Sequence, residues 1–320
     1  MKRLITYILA LVAFASCQEK IEHPSVDEVP QLTTVNISLN AETLSGDPDM
    51  KANTPLIPDI ENLIHDVWVI QFSERGVLYT GVDKFYRTDG EDGARFVTLQ
   101  AQVMSGKSTI CLLANLNKVN TPTKTYFDVA ALQASLPDNL PQFKSTLLDM
   151  SELLHYINTN TKPATIPMFG YWEGTIGGGN AQAADQNLNI TLGRMLCRVN
   201  LNMVNNTGSK LVKLKFTDAA AKTYYFPQIS APQLPDHAYC TKEAANTFAL
   251  GLEPGSNATI YFYWAANFCY GPEKATKITL TTEDGTEYNS MITNGPLSDA
   301  DPDYNMYYNC NYTVTVTLEP

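Results

Sequence analysis

Basic charge, histidine and closely spaced cysteine are all scarce in this sequence, and each scarcity removes a class of function. Of 320 residues only 22 are lysine or arginine, against 33 aspartate or glutamate, for a formal net charge of −11. An acidic surface repels phosphate backbones and anionic headgroups, so neither nucleic acid nor an anionic membrane surface is an expected partner. The four histidines, His23, His65, His155 and His237, are scattered. No HExxH helix, GxSxG elbow or Ser-His-Asp order accompanies them, so no catalytic residue is marked and no enzyme is expected. Six cysteines occur without a CxxC pair. Zinc sites usually need such pairs, so no metal and no cofactor are expected. After the N-terminus no apolar run approaches the roughly 20 residues of a bilayer-spanning helix. Internal repeats and low-complexity tracts are missing too.

What is present begins with a secretory signal over residues 1–16. Lys2 and Arg3 give it a positive start, Leu4 to Phe14 a short apolar core, and Ala15-Ser16 its small residues. These lead straight into Cys17, which resembles the lipobox of bacterial lipoproteins, although Phe14 stands where leucine is usual. The resemblance implies that Cys17 becomes the acylated first residue of the mature protein. With about 0.8 kcal/mol for each buried CH₂, several acyl chains hold a protein firmly on a membrane. An ordinary secretory signal with an incidental cysteine is the alternative. Residues 17–31 are polar, contain Pro24 and Pro30, and read as a tether.

About 300 residues remain, with 44% hydrophobic residues in the whole chain, enough for two packed domains. Leu32 to Asn40 alternates apolar and polar residues as a strand does. Ser45 to Pro58 carries three prolines and no packing pattern, so an exposed, protease-accessible loop is expected. Further strands are expected over Leu63–Phe72, with a turn at Glu74-Arg75-Gly76 and a return at Val77–Tyr79. Ala94–Met104 and Thr109–Asn115 read as a hairpin around Ser105 to Ser108. Between Tyr126 and Ile157 the spacing turns helical, for one or two short helices on a sheet. Strands resume over Leu188–Val204, Leu211–Phe216, Thr223–Phe226, Ala258–Ala265, Lys277–Thr282 and Tyr308–Leu318. Many short strands bounded by turn residues indicate a mainly β chain of β-sandwiches, divided near Met195 into domains of residues 32–194 and 195–320.

Three short motifs have both a chemical and a structural reading. Gly106-Lys107-Ser108 matches the end of a phosphate-binding loop, but Ala101 replaces its first glycine and no helix follows, which favours a turn. Asp299, Asp301 and Asp303 are spaced as in a calcium loop, yet Tyr304 replaces the turn glycine and Cys310 the bidentate glutamate. A solvated loop fits better. Tyr261, Tyr263 and Trp264 could stack on sugars from an aromatic strand, or pack inside a strand buried on both faces. The five cysteines beyond Cys17, namely Cys111, Cys197, Cys240, Cys269 and Cys310, leave one or two disulfides open without demanding any; small buried thiols explain them equally well.

Taken in order, TICLLANLN at 109–117, IPMFGYWEG at 166–174, LGRMLCRVNLNM at 192–203 and the closing YYNCNYTVTVTLEP resemble the fimbrillin family, the Mfa-like and major-subunit-like proteins of type V pili. Within these stretches Arg194 and Asn309 match the family pattern, while Cys197 replaces its alanine and Tyr308 its arginine. The resemblance implies two tandem transthyretin-like β-sandwich domains and a precursor that reaches the outer membrane as a lipoprotein. It further implies a surface fimbrium in which proteolysis removes the first strand, here Leu32–Asn40, and a strand of another pilus subunit replaces it by donor-strand exchange, serving adhesion to host or bacterial surface ligands. Oral family members are cut after arginine, which is absent between Cys17 and Arg75. Lys51, followed by Ala52, is the basic residue of the Pro-rich loop and the expected cleavage point. The sequence ends at Pro320 directly after its last strand, so a tip position is expected. A monomeric lipoprotein that binds glycans is the alternative.

Overall fold

The computed structural model describes residues 29–41, 45–46, 59–87, 93–116, 126–159, 165–178, 186–226, 233–241, 243–269, 271–294 and 302–320. In chain order the first half supplies β1 (Leu32–Ala41), the two-residue β2 (Ser45–Gly46), β3 (Asp66–Ser73), β4 (Lys84–Arg87), β5 (Phe96–Met104) and β6 (Gly106–Ala114). A helical stretch follows, with α1 (Val129–Ala134), α2 (Leu140–Ser145), β7 (Leu147–Asp149) and α3 (Ser151–Thr159). β8 (Met168–Ile176) and β9 (Asn187–Arg194) complete it.

Seven of these strands form one sheet in the order β4-β3-β6-β8-β9-β1-β5. It folds over on itself at β9, which pairs with β1 through Leu192 and with β8 only at Gly193 and Arg194. The two leaves enclose a core that includes Ile37 of β1, Val103 of β5, Ile190 of β9, Val69 of β3 and Leu112 of β6. β1 alternates because only one of its faces is covered. β3 runs Val67-Trp68-Val69-Ile70 without alternation because both its faces are buried. Val67 and Val69 enter the sandwich core, while Trp68, Ile70 and Phe72 belong to a second cluster with the helical layer. There Phe72 meets Phe143 of α2 with ring centroids 5.3 Å apart. Asp128 caps α1 by accepting from the Ala131 amide, and Asn139 caps α2 by accepting from the Gln142 amide. The helical stretch is thus three short helices, interrupted by a strand.

The expected hairpin of Ala94–Met104 with Thr109–Asn115 is not a hairpin. β5 pairs with β1, whereas β6 pairs with β3 and β8, so the chain passes from one leaf to the other at Ser105-Gly106. Gly106 takes φ 106° at this corner. The buried Gln71 of β3 secures it, its amide donating to Met104 O at 2.8 Å and its carbonyl accepting from Met104 N at 2.7 Å. The turn at Gly76 forms as expected, with φ 74°. Its return is reduced to one bridge at Leu78, and the strand alongside β3 is β4.

The second half contains β10 (Leu196–Asn205), β11 (Leu211–Thr217), β12 (Lys222–Tyr224), α4 (Glu243–Asn246), β13 (Thr247–Leu252), β14 (Asn257–Ala265), β15 (Lys277–Thr282), β16 (Glu287–Met291) and β17 (Cys310–Leu318). Two sheets, β14-β10-β17-β2 and β13-β11-β15-β16, form a sandwich. Phe216 of β11 lies 4.9 Å from Phe262 and 5.2 Å from Trp264 of β14 by ring centroids, filling the space between the sheets. β9 and β10 follow one another through Met195 but do not pair, and sheet membership changes there. One apolar cluster nevertheless runs on from the helical layer of the first half into this sandwich. β7 pairs with β12 across the same junction.

Candidate functional site

β1 occupies a slot in the first sandwich. It runs antiparallel to β5 from Leu32↔Met104 to Asn40↔Phe96, and parallel to β9 from Asn36↔Asn187 to Ala41↔Leu192. Val35, Ile37 and Leu39 point inward and are at most 2% exposed. Burial of each is worth about 1.5–3 kcal/mol. Ser105 secures the strand's entry, its amide donating to Gln31 O and its hydroxyl accepting from Gln31 N, both at 2.8 Å. Lifted out, β1 would leave the facing edges of β5 and β9, which run in opposite directions, unpaired over an apolar floor, the arrangement that recruits another strand. Beyond β1 the chain touches the second sandwich as well, where Ser45-Gly46 of β2 pairs with Cys310-Asn311 of β17.

A helical turn at Asp59–Asn62 is held by a buried polar joint between the halves. Arg194 donates from Nε to Glu61 O at 3.2 Å, from its terminal nitrogens to Asn62 Oδ1 and to Asn309 Oδ1, the latter at 2.9 Å. The Arg194 amide also donates to Asn309 Oδ1. Asn309 adopts φ 55°, a left-handed conformation that asparagine tolerates better than most residues. Glu61 Oε1 accepts from the Tyr263 hydroxyl. Burial disfavours the ionised carboxyl and outweighs the Tyr263 hydrogen bond and the Arg198 and Arg194 charges, so Glu61 titrates above its ordinary range. The same burial, together with the Glu61 charge, raises Tyr263. Asn158 of α3 completes the joint by bonding both the amide and the carbonyl of Tyr263 at 2.8 Å, as a neighbouring strand would.

Cys17, Lys51 and Ala52 lie outside the described residues. Of the three aromatic candidates, Trp264 and Tyr263 are 1% and 3% exposed, one in the sandwich core and the other in the joint. Neither can stack on a sugar. Phe262 to Ala265, the end of their strand, is buried on both faces. Tyr261 is 39% exposed, with the buried Arg198 guanidinium 4.4 Å from its ring centroid. All five cysteines beyond Cys17 are free thiols. Burial pushes Cys111 and Cys197 upward, and Cys269 to about 11, so none of these three is a ready nucleophile. Lys107 pairs with Glu74 at 2.7 Å rather than facing a phosphate cradle. Asp303 is bonded within its own loop by Asn305, Asn294 and Tyr307. Among the described residues no group of three or more metal-ligating side chains occurs.

Sequence reasoning missed Glu61, Asn158, Gln71 and Tyr263's polar role. Arg194 and Asn309 carried a signal, since both stand in the stretches that resemble fimbrillins. Separated by 115 positions, they bind each other.

No family model matches this chain, and no curated protein matches it. Solved structures do. The tip fimbrial protein Mfa3 from Porphyromonas gingivalis, with a C-terminal truncation, superposes with a TM-score of 0.59 at 17% identity, over 90% of this chain and 96% of that one. A candidate cell adhesion protein from Parabacteroides distasonis ATCC 8503 gives a TM-score of 0.63 at 16% identity, over 90% and 88%. A fimbrilin from Porphyromonas gingivalis W83 gives 0.51 at 10%, over 90% of each. At these identities the likeness is one of architecture, and this chain carries the fold of those fimbrial and cell adhesion proteins over about nine-tenths of its length.

Proposed function

We propose that this chain is a fimbrillin, a non-enzymatic surface subunit of a type V-like pilus. In this reading Cys17 delivers the precursor to the outer membrane, cleavage after Lys51 releases residues 17–51, and a strand from another subunit takes the place of β1. The observation that carries it is β1 itself. It is the first strand among the described residues, paired with β5 over Leu32–Asn40 and with β9 over Asn36–Ala41, and joined to everything after it through the segment that contains Lys51. One cut there would free both β1 and β2, opening the slot in the first sandwich and uncovering the start of β17 in the second. The Arg194–Glu61–Asn309 joint would stay, because all its members lie after Lys51. Covalent retention of the lipid after cleavage is excluded by the same arithmetic, so Cys17 serves delivery, not permanent anchoring.

The test is limited digestion of the purified full chain with a lysine-specific protease, followed by mass spectrometry and denaturant-resistant gel analysis. A new N-terminus at Ala52 and a ladder of multimers are expected. A cleaved product that neither multimerises nor takes up an added peptide of the Leu32–Asn40 sequence overturns strand exchange. Intact acylated Cys17 on assembled material from cells overturns the processing step and favours an uncleaved anchor subunit. The burial of Tyr263 and Trp264 leaves the monomeric glycan-binding alternative with Tyr261 alone of its three aromatic candidates.

A further inference from the structure

A cleft of about 630 Å³ opens where the helical layer of the first half meets the second half. One wall carries Asp149, Glu152 and His155 with Tyr126, and the other carries Lys222, His237 and Tyr239. Its volume lies within the roughly 300–1,000 Å³ typical of small-ligand sites, which favour such junctions between domains. Neither β1 nor β17 contributes to it.

Several of its groups are held in place. Asp149 accepts from the Ser151 amide at 2.9 Å and pairs with Lys222 at 3.3 Å. Tyr126 packs against Tyr156 with ring centroids 5.4 Å apart. The Tyr239 hydroxyl donates to Asn267 at 3.2 Å. Glu152 and His155 stand three positions apart on α3, and so on the same face of the helix. The walls therefore offer carboxylate acceptors, two imidazoles able to donate or accept, and the Tyr126 ring held against Tyr156.

The charges narrow the ligand. Among the described residues of the lining, two carboxylates against one ammonium leave it formally negative, which disfavours anions. Many hydrogen-bonding groups beside aromatic rings suit a molecule with a ring of hydroxyls and an apolar C–H face. We propose that this cleft binds a neutral oligosaccharide. It extends the fimbrillin reading by giving the subunit an adhesive site, separate from its assembly slot and from Tyr261.

The experiment uses the uncleaved full chain and a panel of neutral trisaccharides, namely maltotriose, cellotriose and mannotriose, with a sulfated trisaccharide as the anionic probe. Saturation-transfer NMR detects binding and titration gives its strength. The expected result is contact with at least one neutral sugar, weakened about tenfold or more by Glu152→Ala with His155→Ala. Both positions are exposed, so the fold should hold. Tyr261→Ala should leave binding unchanged. Absence of binding to every neutral sugar, preference for the sulfated one, or unchanged binding in the double variant overturns the cleft. The same double variant is then cut at Lys51. Multimers without sugar binding in the wild type refute the cleft alone, whereas sugar binding without multimers refutes the pilus reading alone.

Discussion

The two sandwiches treat their terminal strands in opposite ways. The first closes around its earliest strand, with β1 paired on both sides and its inward Val35 and Ile37 fully buried. The second leaves its last strand at a margin. β17 pairs fully with β10 on one side, but on the other only Cys310 and Asn311 have a partner, supplied by β2. Its inward Val314 and Val316 are only partly buried. β1 and β2 come from the same stretch of chain ahead of Lys51, which completes one sandwich and merely touches the other. Removing that stretch should therefore expose far more in the first half than in the second.

Charge placed at matching positions gives the largest contrast. Ile37→Asp buries an unpaired carboxylate in the middle of β1, a change of the kind that costs about 3–5 kcal/mol or more. Val316→Asp can turn its carboxylate to solvent and should cost under about 1.5 kcal/mol. Urea unfolding curves of the two variants check this. Equal losses would mean that the margin of the second sandwich is as closed as the slot of the first.

The corner at Ser105-Gly106 sharpens the comparison, because it ties the β1-bearing leaf to the other. Gln71→Met keeps the volume of the side chain but strands the Met104 amide and carbonyl. A loss of about 1–3 kcal/mol is expected. If the urea midpoint stays at the wild-type value, water has replaced Gln71 and the leaves are held by packing alone.

Much of this was legible in the residues, and the exceptions have physical causes. β1 announced itself because one face is covered, giving a clean alternation. The aromatic run at Tyr261–Trp264 remained ambiguous, since a strand buried on both faces and an exposed stacking strand share a composition. β13 and β16 escaped notice: they are the margins of their sheet, and a margin strand such as EYNSM needs no apolar alternation. Pairing partners were the hardest feature. Two adjacent strands with a glycine turn read as a hairpin, and nothing local to Ser105-Gly106 reveals that the chain changes leaf there. Glu61 was invisible for a related reason, because its burial depends on Tyr263, 202 positions away.

The joint supplies a smaller and pH-dependent effect. Tyr263→Phe removes the hydroxyl that donates to Glu61 and should cost about 1–2 kcal/mol. The sign of the pH dependence follows from the raised Glu61 carboxyl. Above its ordinary value of 4.5 the unfolded chain releases this proton while the folded chain still holds it. The folded state then binds more protons, so this group's contribution to stability falls as pH rises through the window and levels off above the raised value. Glu61→Gln should abolish that slope, measured as urea midpoints across the carboxylate range. A steeper decline in the variant would mean that the two arginines, rather than burial, set the state of Glu61.

The smallest effect is expected one step along the same strand. Tyr261 and Tyr263 share a face of β14 and both lie near Arg198, with ring centroids 4.4 and 6.0 Å from its guanidinium carbon. Proximity to the cation alone would make Tyr261 the more important of the two. The joint reverses this, since Tyr263 is buried and bonded to Glu61 while Tyr261 keeps more than a third of its surface in solvent. A cation–π contact at so open a site is worth about 0.5–1 kcal/mol, so Tyr261→Ala should cost no more than that. Arg198, however, is buried with its Nε and one terminal nitrogen lacking hydrogen-bond partners. If the tyrosine ring is what keeps water from this guanidinium, Tyr261→Ala will let water reach it and the measured loss will shrink toward zero. A loss of 2 kcal/mol or more, on the order of a buried hydrogen bond to a charge, would instead place Tyr261 inside the joint and erase the distinction between the two tyrosines.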